Sequence, residues 1–135
     1  MAQFQLEITT PDGKKFDGAV DSLLVRTIEG DVEILRSHAD FFAALGVGRA
    51  RLLIDGRSRF AAAQGGFVSV KDGRVRLVAT TFEFSDEIDR SRALAAKERA
   101  EAMLASAKDD KALSLAKAKL CRALARLSAA EHARQ

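Results

Sequence analysis

The sequence has 135 residues, of which 47% are hydrophobic and 30% are charged, and its formal net charge is +3. This composition is typical of a folded domain with a hydrophobic core and excludes a disordered chain. A single cysteine excludes a disulfide scaffold and a cysteine-rich zinc site, and no apolar stretch approaches the ~18 residues of a membrane-spanning helix.

Residue types divide the chain into two parts. All nine glycines and all eight phenylalanines precede residue 85, whereas residues 88–135 include fifteen alanines. Glycine and phenylalanine are typical of strands and their turns, and alanine is the strongest helix former, so we expect β-structure followed by helices. Residues 1–87 carry 11 Lys and Arg and 13 Asp and Glu. Residues 88–135 carry 11 Lys and Arg but only 6 Asp and Glu. The positive charge therefore belongs to the helices, whose partner should be acidic.

The first strand predictions rest on alternation. Phe4, Leu6 and Ile8 alternate with polar residues, and a Pro-Asp-Gly turn follows at residues 11–13. The sequence then predicts one strand over residues 16–27. The predicted core residues of the β part are Val20, Leu23, Val25, Phe67, Val75 and Leu77.

Turn residues predict the second half of the β part. Asp-Gly pairs at residues 55–56 and 72–73 each predict a hairpin, and Gly65-Gly66 predicts a further tight turn. Short strands with turns at this spacing indicate a sandwich or flattened barrel of about eight to ten strands.

Two helices are predicted after the β part. Ser85 or Asp86 is expected to cap a helix that begins near Ile88, and Asp109 or Asp110 is expected to cap the second. Small side chains recur on one face of the first helix: Ala93, Ala96, Ala100, Met103 and Ala107. The face of the second helix combines Leu113, Ala116, Leu120, Ala123, Leu124 and Leu127. With a short connection, these faces predict an antiparallel hairpin.

The predicted hairpin combines weak packing with aligned positive charge. Each buried alanine methyl contributes only about 0.8 kcal/mol, so the hairpin should rest on another surface and be able to leave it. Arg92 and Arg99 lie seven residues apart on the first helix. On the second helix, Lys119, Arg122 and Arg126 follow one another at spacings of three and four residues. The rows would converge in an antiparallel hairpin and suit phosphates or carboxylates, although a solvated basic face explains the spacing as well.

Several motifs, in order along almost the whole chain, resemble the epsilon subunit of bacterial F-type ATP synthase. The motifs are Thr10-Pro11, Phe16-Asp17-Gly18, Val20-Asp21-Ser22, Thr27-Ile28-Glu29-Gly30, His38-Ala39, Gly65-Gly66-Phe67-Val68, Glu87-Ile88-Asp89, Arg92-Ala93, Lys97-Glu98-Arg99-Ala100-Glu101 and Arg122-Ala123-Leu124-Ala125-Arg126-Leu127. The resemblance implies an α+β fold, with a ten-stranded β-sandwich over residues 1–86 and an α-helical hairpin over residues 87–135.

The resemblance also implies a function and partners. It implies a non-catalytic rotor subunit of the central stalk, peripheral to the cytoplasmic face of the bacterial plasma membrane, which couples ion translocation to ATP synthesis and restrains ATP hydrolysis through its helices. The sandwich would contact the gamma subunit and the c-ring, and the basic helices would meet acidic segments of the catalytic beta subunits. The residues implied in rotor contact are Glu29, Gly30, Asp31 and His38.

Some bacterial members of this family bind ATP on the folded hairpin through an Ile/Leu-Asp-x-x-Arg-Ala motif, which is intact here at residues 88–93. The resemblance implies that no cofactor is required and that ATP is a possible regulatory ligand. The implied ATP-binding residues are Glu83, Ile88, Asp89, Arg92, Ala93, Arg99, Arg122 and Arg126. This sequence departs from the family pattern at residues 32–40, which lack the usual Gly and Pro. The bulky Phe41-Phe42, Phe82 and Phe84 are expected to pack the hairpin against the sandwich.

Three other functions compete with this one. A stand-alone nucleotide-responsive binding module without a rotor role would use the same basic hairpin. A nucleic-acid binder is disfavoured because the basic half has no aromatic residue on which bases stack. An enzyme is disfavoured because no nucleophile–base pair, paired carboxylates or metal-ligand cluster is visible. We therefore expect no catalytic residues, no metal, no nucleic-acid partner and no direct membrane insertion.

Overall fold

Residues 2–132, the part of the chain described by this computed structural model, form eight strands, a short 3-10 turn (Ser85–Glu87) and two helices. The strands are β1 (Phe4–Thr10), β2 (Gly13–Val20), β3 (Ser22–Thr27), β4 (Gly30–Leu35), β5 (Phe41–Ala44), β6 (Val47–Ile54), β7 (Arg57–Lys71) and β8 (Arg74–Phe84). The helices are α1 (Arg90–Ser106) and α2 (Asp110–His132).

The strands form one sheet that folds over on itself as a sandwich. Their order is β2-β1-β8-β7-β6-β3-β4, and β5 pairs with β7. The neighbours are antiparallel except β1 and β8, which are parallel. Alternate side chains of both layers fill the core, and the alternation predicted for Phe4, Leu6 and Ile8 is confirmed. Val20, Leu23, Val25, Val75 and Leu77 are also buried, as predicted.

The strand count differs from the ten implied by the resemblance because β7 and β8 run through both layers. The first half of β7 pairs with β6, and its second half pairs with β5. Likewise, β8 pairs with β1 only along its first half. Each of these two long, bent strands is therefore counted once, although its two halves pair as two shorter strands would.

The prediction of one strand over residues 16–27 is wrong, because Asp21 separates β2 from β3. The buried Asp21 carboxylate accepts hydrogen bonds from the backbone N–H of Gly56 and from Nε2 of Gln3, both at 3.1 Å. The chain changes layers here, since β2 and β3 lie far apart in the strand order. A corner held by contacts so distant in sequence leaves no local signature.

The prediction of a tight turn at Gly65-Gly66 is also wrong, because both glycines lie inside β7. They have φ of 65° and 93°, and they bend the strand where it passes from β6 to β5. A Cβ on Gly66 would lie 1.9 Å from the carbonyl oxygen of Val78. After the bend Val68 and Val70 face the core, so Phe67 is half-buried on the other face, stacked on Phe42. The prediction that Phe67 faces inward is therefore wrong.

The two hairpins predicted from Asp-Gly pairs are confirmed. Asp55 and Asp72 have φ of 51°, and the following Gly56 and Gly73 have φ of 80° and 78°. Positive φ at both central residues is the geometry of a two-residue type I′ turn, which matches the twist of the strands on either side.

The helices form the predicted hairpin, but the first begins later than expected. Asp89, not Ser85 or Asp86, caps α1, because its carboxylate accepts a hydrogen bond from the backbone N–H of Arg92 at 3.1 Å. Asp109 accepts from the N–H of Ala112 at 2.7 Å and caps α2, as predicted. Leu124, which was predicted in the packed face of the second helix, is 44% exposed.

The hairpin rests on the sandwich through small side chains. Ala62 on the outer face of β7 packs against Ala125 and Ala129 of α2, with Val47 and Ile88 at the margin. The prediction that phenylalanines fill this contact is wrong, since Phe82 and Phe84 belong to the sandwich core, Phe41 packs against that core, and Phe42 is exposed. Alanines allow the helix to lie close to the sheet, but they bury little apolar area.

Candidate functional site

A groove of about 440 Å³ lies where β8, the 3-10 turn, α1 and α2 meet. Seven of the eight residues implied in ATP binding line it: Glu83, Ile88, Asp89, Arg92, Ala93, Arg99 and Arg126. The eighth, Arg122, lines an adjoining groove section of about 340 Å³ between the two helices. The antiparallel hairpin thus brings together arginines that are more than thirty residues apart in sequence.

Arg126 holds the hairpin against the sandwich beside this groove. Its Nε donates a hydrogen bond of 2.7 Å to Oε1 of Glu83 at the end of β8. The two side chains are 40% and 34% exposed, so solvent screens their attraction. Both groups therefore remain accessible to a ligand in the groove.

Local structure positions the remaining polar groups of the groove. Asp89 caps α1 and also lines the groove, which fixes its carboxylate at the helix start. Ala93 is buried, and α1 packs against α2, so a small residue at this motif position suits the close approach of the helices. Ile88 packs beside Ala62 and Ala125 and ties the linker to the sandwich. The motif thus serves the hairpin's packing as well as its polar surface.

The sequence reasoning missed Glu87. Its Oε1 accepts a hydrogen bond from the backbone N–H of Phe84 at 3.1 Å, and its Oε2 lies 3.9 Å from Nζ of Lys15. Glu87 also lines the groove. A capping box is recognised in sequence by Ser, Thr, Asp or Asn three residues before the Glu, and Phe84 stands at that position, so no local signal indicated this role.

The residues implied in rotor contact lie at opposite ends of β4. Glu29 lies in the turn before β4, and Gly30 and Asp31 are the first two residues of that strand. His38 lies beyond the other end of the strand and contacts Phe41. The stretch from Asp31 to the end of β4 alone extends about 13 Å. Asp31 accepts a hydrogen bond from Nε of Arg26 at 2.7 Å and lines a cavity on the α2 side. The structure therefore does not gather the four residues into one cluster.

Two further features of the described residues bear on function. Among residues 2–132, no three His, Cys, Asp or Glu side chains are arranged to hold a metal ion. Neither helix, as far as the structure describes the chain, combines the length and the apolar character needed to cross a bilayer.

Known proteins resemble this chain over nearly its full length. Residues 3–85 match the family described as the beta-sandwich domain of the ATP synthase delta/epsilon chain, and residues 86–131 match its long alpha-helix domain. The ATP synthase epsilon chain of Caldicellulosiruptor bescii is 38% identical over 97% of this chain and 96% of its own length. That of Alkalihalophilus pseudofirmus is 44% identical over 82% of this chain and 83% of its own.

A solved structure agrees with these sequence relatives. A chain in the cryo-EM structure of the Euglena gracilis mitochondrial ATP synthase, described as OSCP/F1/c-ring, has a TM-score of 0.84 and 26% identity, covering 98% of this chain and 83% of that one. The protein thus belongs to the ATP synthase delta/epsilon chain family and, like its epsilon-chain relatives, is a non-catalytic subunit of that complex.

Proposed function

We propose that this subunit is part of the rotor in the central stalk of an F-type ATP synthase, where it couples ion translocation to ATP synthesis. Full-length similarity to bacterial epsilon chains supports this role, as does likeness to a chain of an assembly that includes F1 and the c-ring. The bacterial relatives favour a place at the cytoplasmic face of the plasma membrane, peripheral to the bilayer.

The sandwich supplies the contacts with the gamma subunit and the c-ring in this proposal. Large apolar side chains on its surface support such contacts, because Ile28 is 71% exposed and Phe42 is 68% exposed. Ile28 stands next to Glu29 in the turn before β4. Aromatic side chains such as Phe42 are enriched in the cores of protein interfaces.

The C-terminal helices restrain ATP hydrolysis by leaving the sandwich and meeting acidic segments of the catalytic beta subunits. The small contact of Ala62 with Ala125 and Ala129 supports this movement, because few apolar atoms hold the helices down. The excess of Lys and Arg in residues 88–135 supports an acidic partner.

ATP binds the groove and favours the docked hairpin. The observation that carries this proposal is the convergence of Arg92, Arg99 and Arg126 with Glu83 and Asp89 around one cavity of about 440 Å³. Guanidinium groups bind phosphate oxygens, while carboxylates accept hydrogen bonds from the amino group of a base or from ribose hydroxyls.

Regulation follows from the composition of the groove. Its walls come from β8, α1 and α2, so a ligand that spans them binds the docked hairpin and loses these contacts when the helices leave. At one hundred times its Kd, such a ligand stabilises the docked state by about 2.7 kcal/mol. This is comparable with the apolar contact itself, so ATP would relieve the inhibition.

Calorimetric titration of Mg-ATP into the full chain tests the site. We expect one saturable site, weakened at least tenfold by Arg92→Ala and by Arg126→Ala. Arg76→Ala removes an exposed arginine of the sandwich and should leave binding unchanged. The absence of heat at millimolar Mg-ATP would refute the nucleotide site.

ATP hydrolysis by F1 reconstituted with the full chain tests the regulatory role. At an ATP concentration that fills the groove, the Arg92→Ala chain should inhibit more strongly than the wild type, because ATP no longer holds its hairpin down. Equal inhibition by both chains would contradict this link.

The alternative, a nucleotide-responsive module without a rotor role, shares the groove but not the assembly. It predicts that the chain binds Mg-ATP and yet does not join F1 during size-exclusion chromatography. Stoichiometric association with F1 would exclude it.

A further inference from the structure

The proposed nucleotide groove continues between the helices beyond the residues implied by the family motif. The section beside β8 and the section between the helices share Ala96, Arg99 and Arg126 as lining residues. The two cavities, of about 440 and 340 Å³, therefore adjoin along these three residues, and the groove is taken to comprise both. It extends from the edge of the sandwich towards the free end of the hairpin.

Charge is distributed unevenly along this groove. Near the sandwich, Glu83, Glu87 and Asp89 line it together with arginines. Between the helices its ionisable lining residues are all cations, namely Arg99, Lys119, Arg122 and Arg126. A nucleotide placed by charge would direct its base and ribose to the carboxylates and its phosphates towards the cations.

Lys119 is the last cation of this row on α2. It precedes Arg122 by three residues and Arg126 by seven, so these side chains share one face of the helix. At 1.5 Å per residue, Lys119 lies about 4.5 Å beyond Arg122 and about 10 Å beyond Arg126 along the axis. Each step outward along the groove therefore meets a further positive charge, as a chain of phosphates requires.

We infer that Lys119 binds the terminal phosphate of a nucleoside triphosphate and makes the groove selective for the triphosphate over the diphosphate. This inference rests on the proposed nucleotide site. Lysine suits the position because its ammonium group is a compact charge with three donors on a flexible stem, which reaches the end of a ligand at the exposed mouth of a groove. Arg92, Arg99 and Arg126 contact parts that both nucleotides share.

The test is a calorimetric comparison of Mg-ATP with Mg-ADP on the full chain. Lys119→Ala should weaken Mg-ATP binding about tenfold, the scale of one charge-assisted hydrogen bond, and change Mg-ADP binding by less than about twofold. Lys117→Ala is the matched control, since Lys117 is exposed on the same helix and does not line the groove. Lys119→Arg should keep most of the selectivity.

The outcomes distinguish a failure of the Lys119 assignment from a failure of the proposed nucleotide site. If the wild type binds Mg-ATP, but Lys119→Ala weakens ATP and ADP equally or matches Lys117→Ala, Lys119 does not bind the terminal phosphate, and the nucleotide site stands. If the wild type binds neither nucleotide, the proposed site fails, and the assignment of Lys119 fails with it.

Discussion

The contact between the hairpin and the sandwich can be broken by one enlarged side chain. Ala62, Ala125 and Ala129 supply its buried apolar atoms. At about 0.8 kcal/mol for each methyl, these three residues contribute about 2 to 3 kcal/mol, to which the partly buried Val47 and Ile88 add at the margin. The half-exposed pair of Glu83 and Arg126 adds at most about 1 kcal/mol.

Ala62→Leu should remove most of this docking energy. The added carbon atoms would meet Ala129, which has no exposed surface, and overpacking of this kind costs about 1 to 3 kcal/mol. Since Ala62 lies on the outer face of β7, the sandwich core should not change. Hydrogen exchange followed by mass spectrometry should show amides of α2 exchanging about tenfold to a hundredfold faster, with those of β1 and β8 unchanged.

A control and a contrary result complete this test. Ala118→Leu makes the same substitution at an exposed position of α2 and should leave exchange unchanged. Faster exchange throughout the sandwich would mean that Ala62 supports the main core, and unchanged exchange in α2 would mean that other contacts hold the hairpin. Either result would refute the reasoning about docking.

Two further predictions concern the sandwich. Gly66→Ala should lower the free energy of unfolding, measured by chemical denaturation, by more than about 3 kcal/mol, because the new Cβ would overlap the carbonyl oxygen of Val78. At Gly73 a Cβ meets no atom, so Gly73→Ala should lower it by only about 1 to 2 kcal/mol. Equal losses in the two variants would contradict the steric argument. The ammonium group of Lys14, hydrogen-bonded to Asp17, holds the pKa of that carboxyl below its ordinary value, so this pair favours the fold above the unfolded pKa of Asp17 and stops doing so as pH falls through the folded one. In Lys14→Met the pKa of Asp17, followed by NMR, should rise, and an unchanged value would exclude the contact in solution.

Local patterns predicted the elements that depend on near neighbours. The alternation from Phe4 to Ile8 marks a half-buried strand because successive side chains of a strand face opposite sides. Asp55-Gly56 marks a hairpin because both residues tolerate positive φ. Asp109 marks a helix start because its side chain satisfies a free N–H in the first turn.

The candidate site was predicted unevenly for the same reason. The motif of residues 88–93 identifies Asp89 and Arg92 through the resemblance, but spacing alone left a solvated basic face as a good explanation for the arginines. Their convergence depends on the hairpin and on docking against β8, which join Arg92 to Arg126 and Arg126 to Glu83. Lys119 belongs to no family motif, although its spacing from Arg122 and Arg126 placed it in the basic row, and only the structure showed that it lines the groove between the helices.

The sequence by itself determined the order of β and α parts, the turns and the basic character of the helices, because these follow from backbone preference and charge within a few residues. Tertiary structure alone decided the corner at Asp21, the bend at Gly65-Gly66 and the burial of Ala62 beneath α2. Each depends on atoms brought from elsewhere in the chain: the N–H of Gly56, the carbonyl of Val78 and a helix more than sixty residues away. Propensity measures a residue's own conformational preference, whereas these positions are set by what the fold places against them.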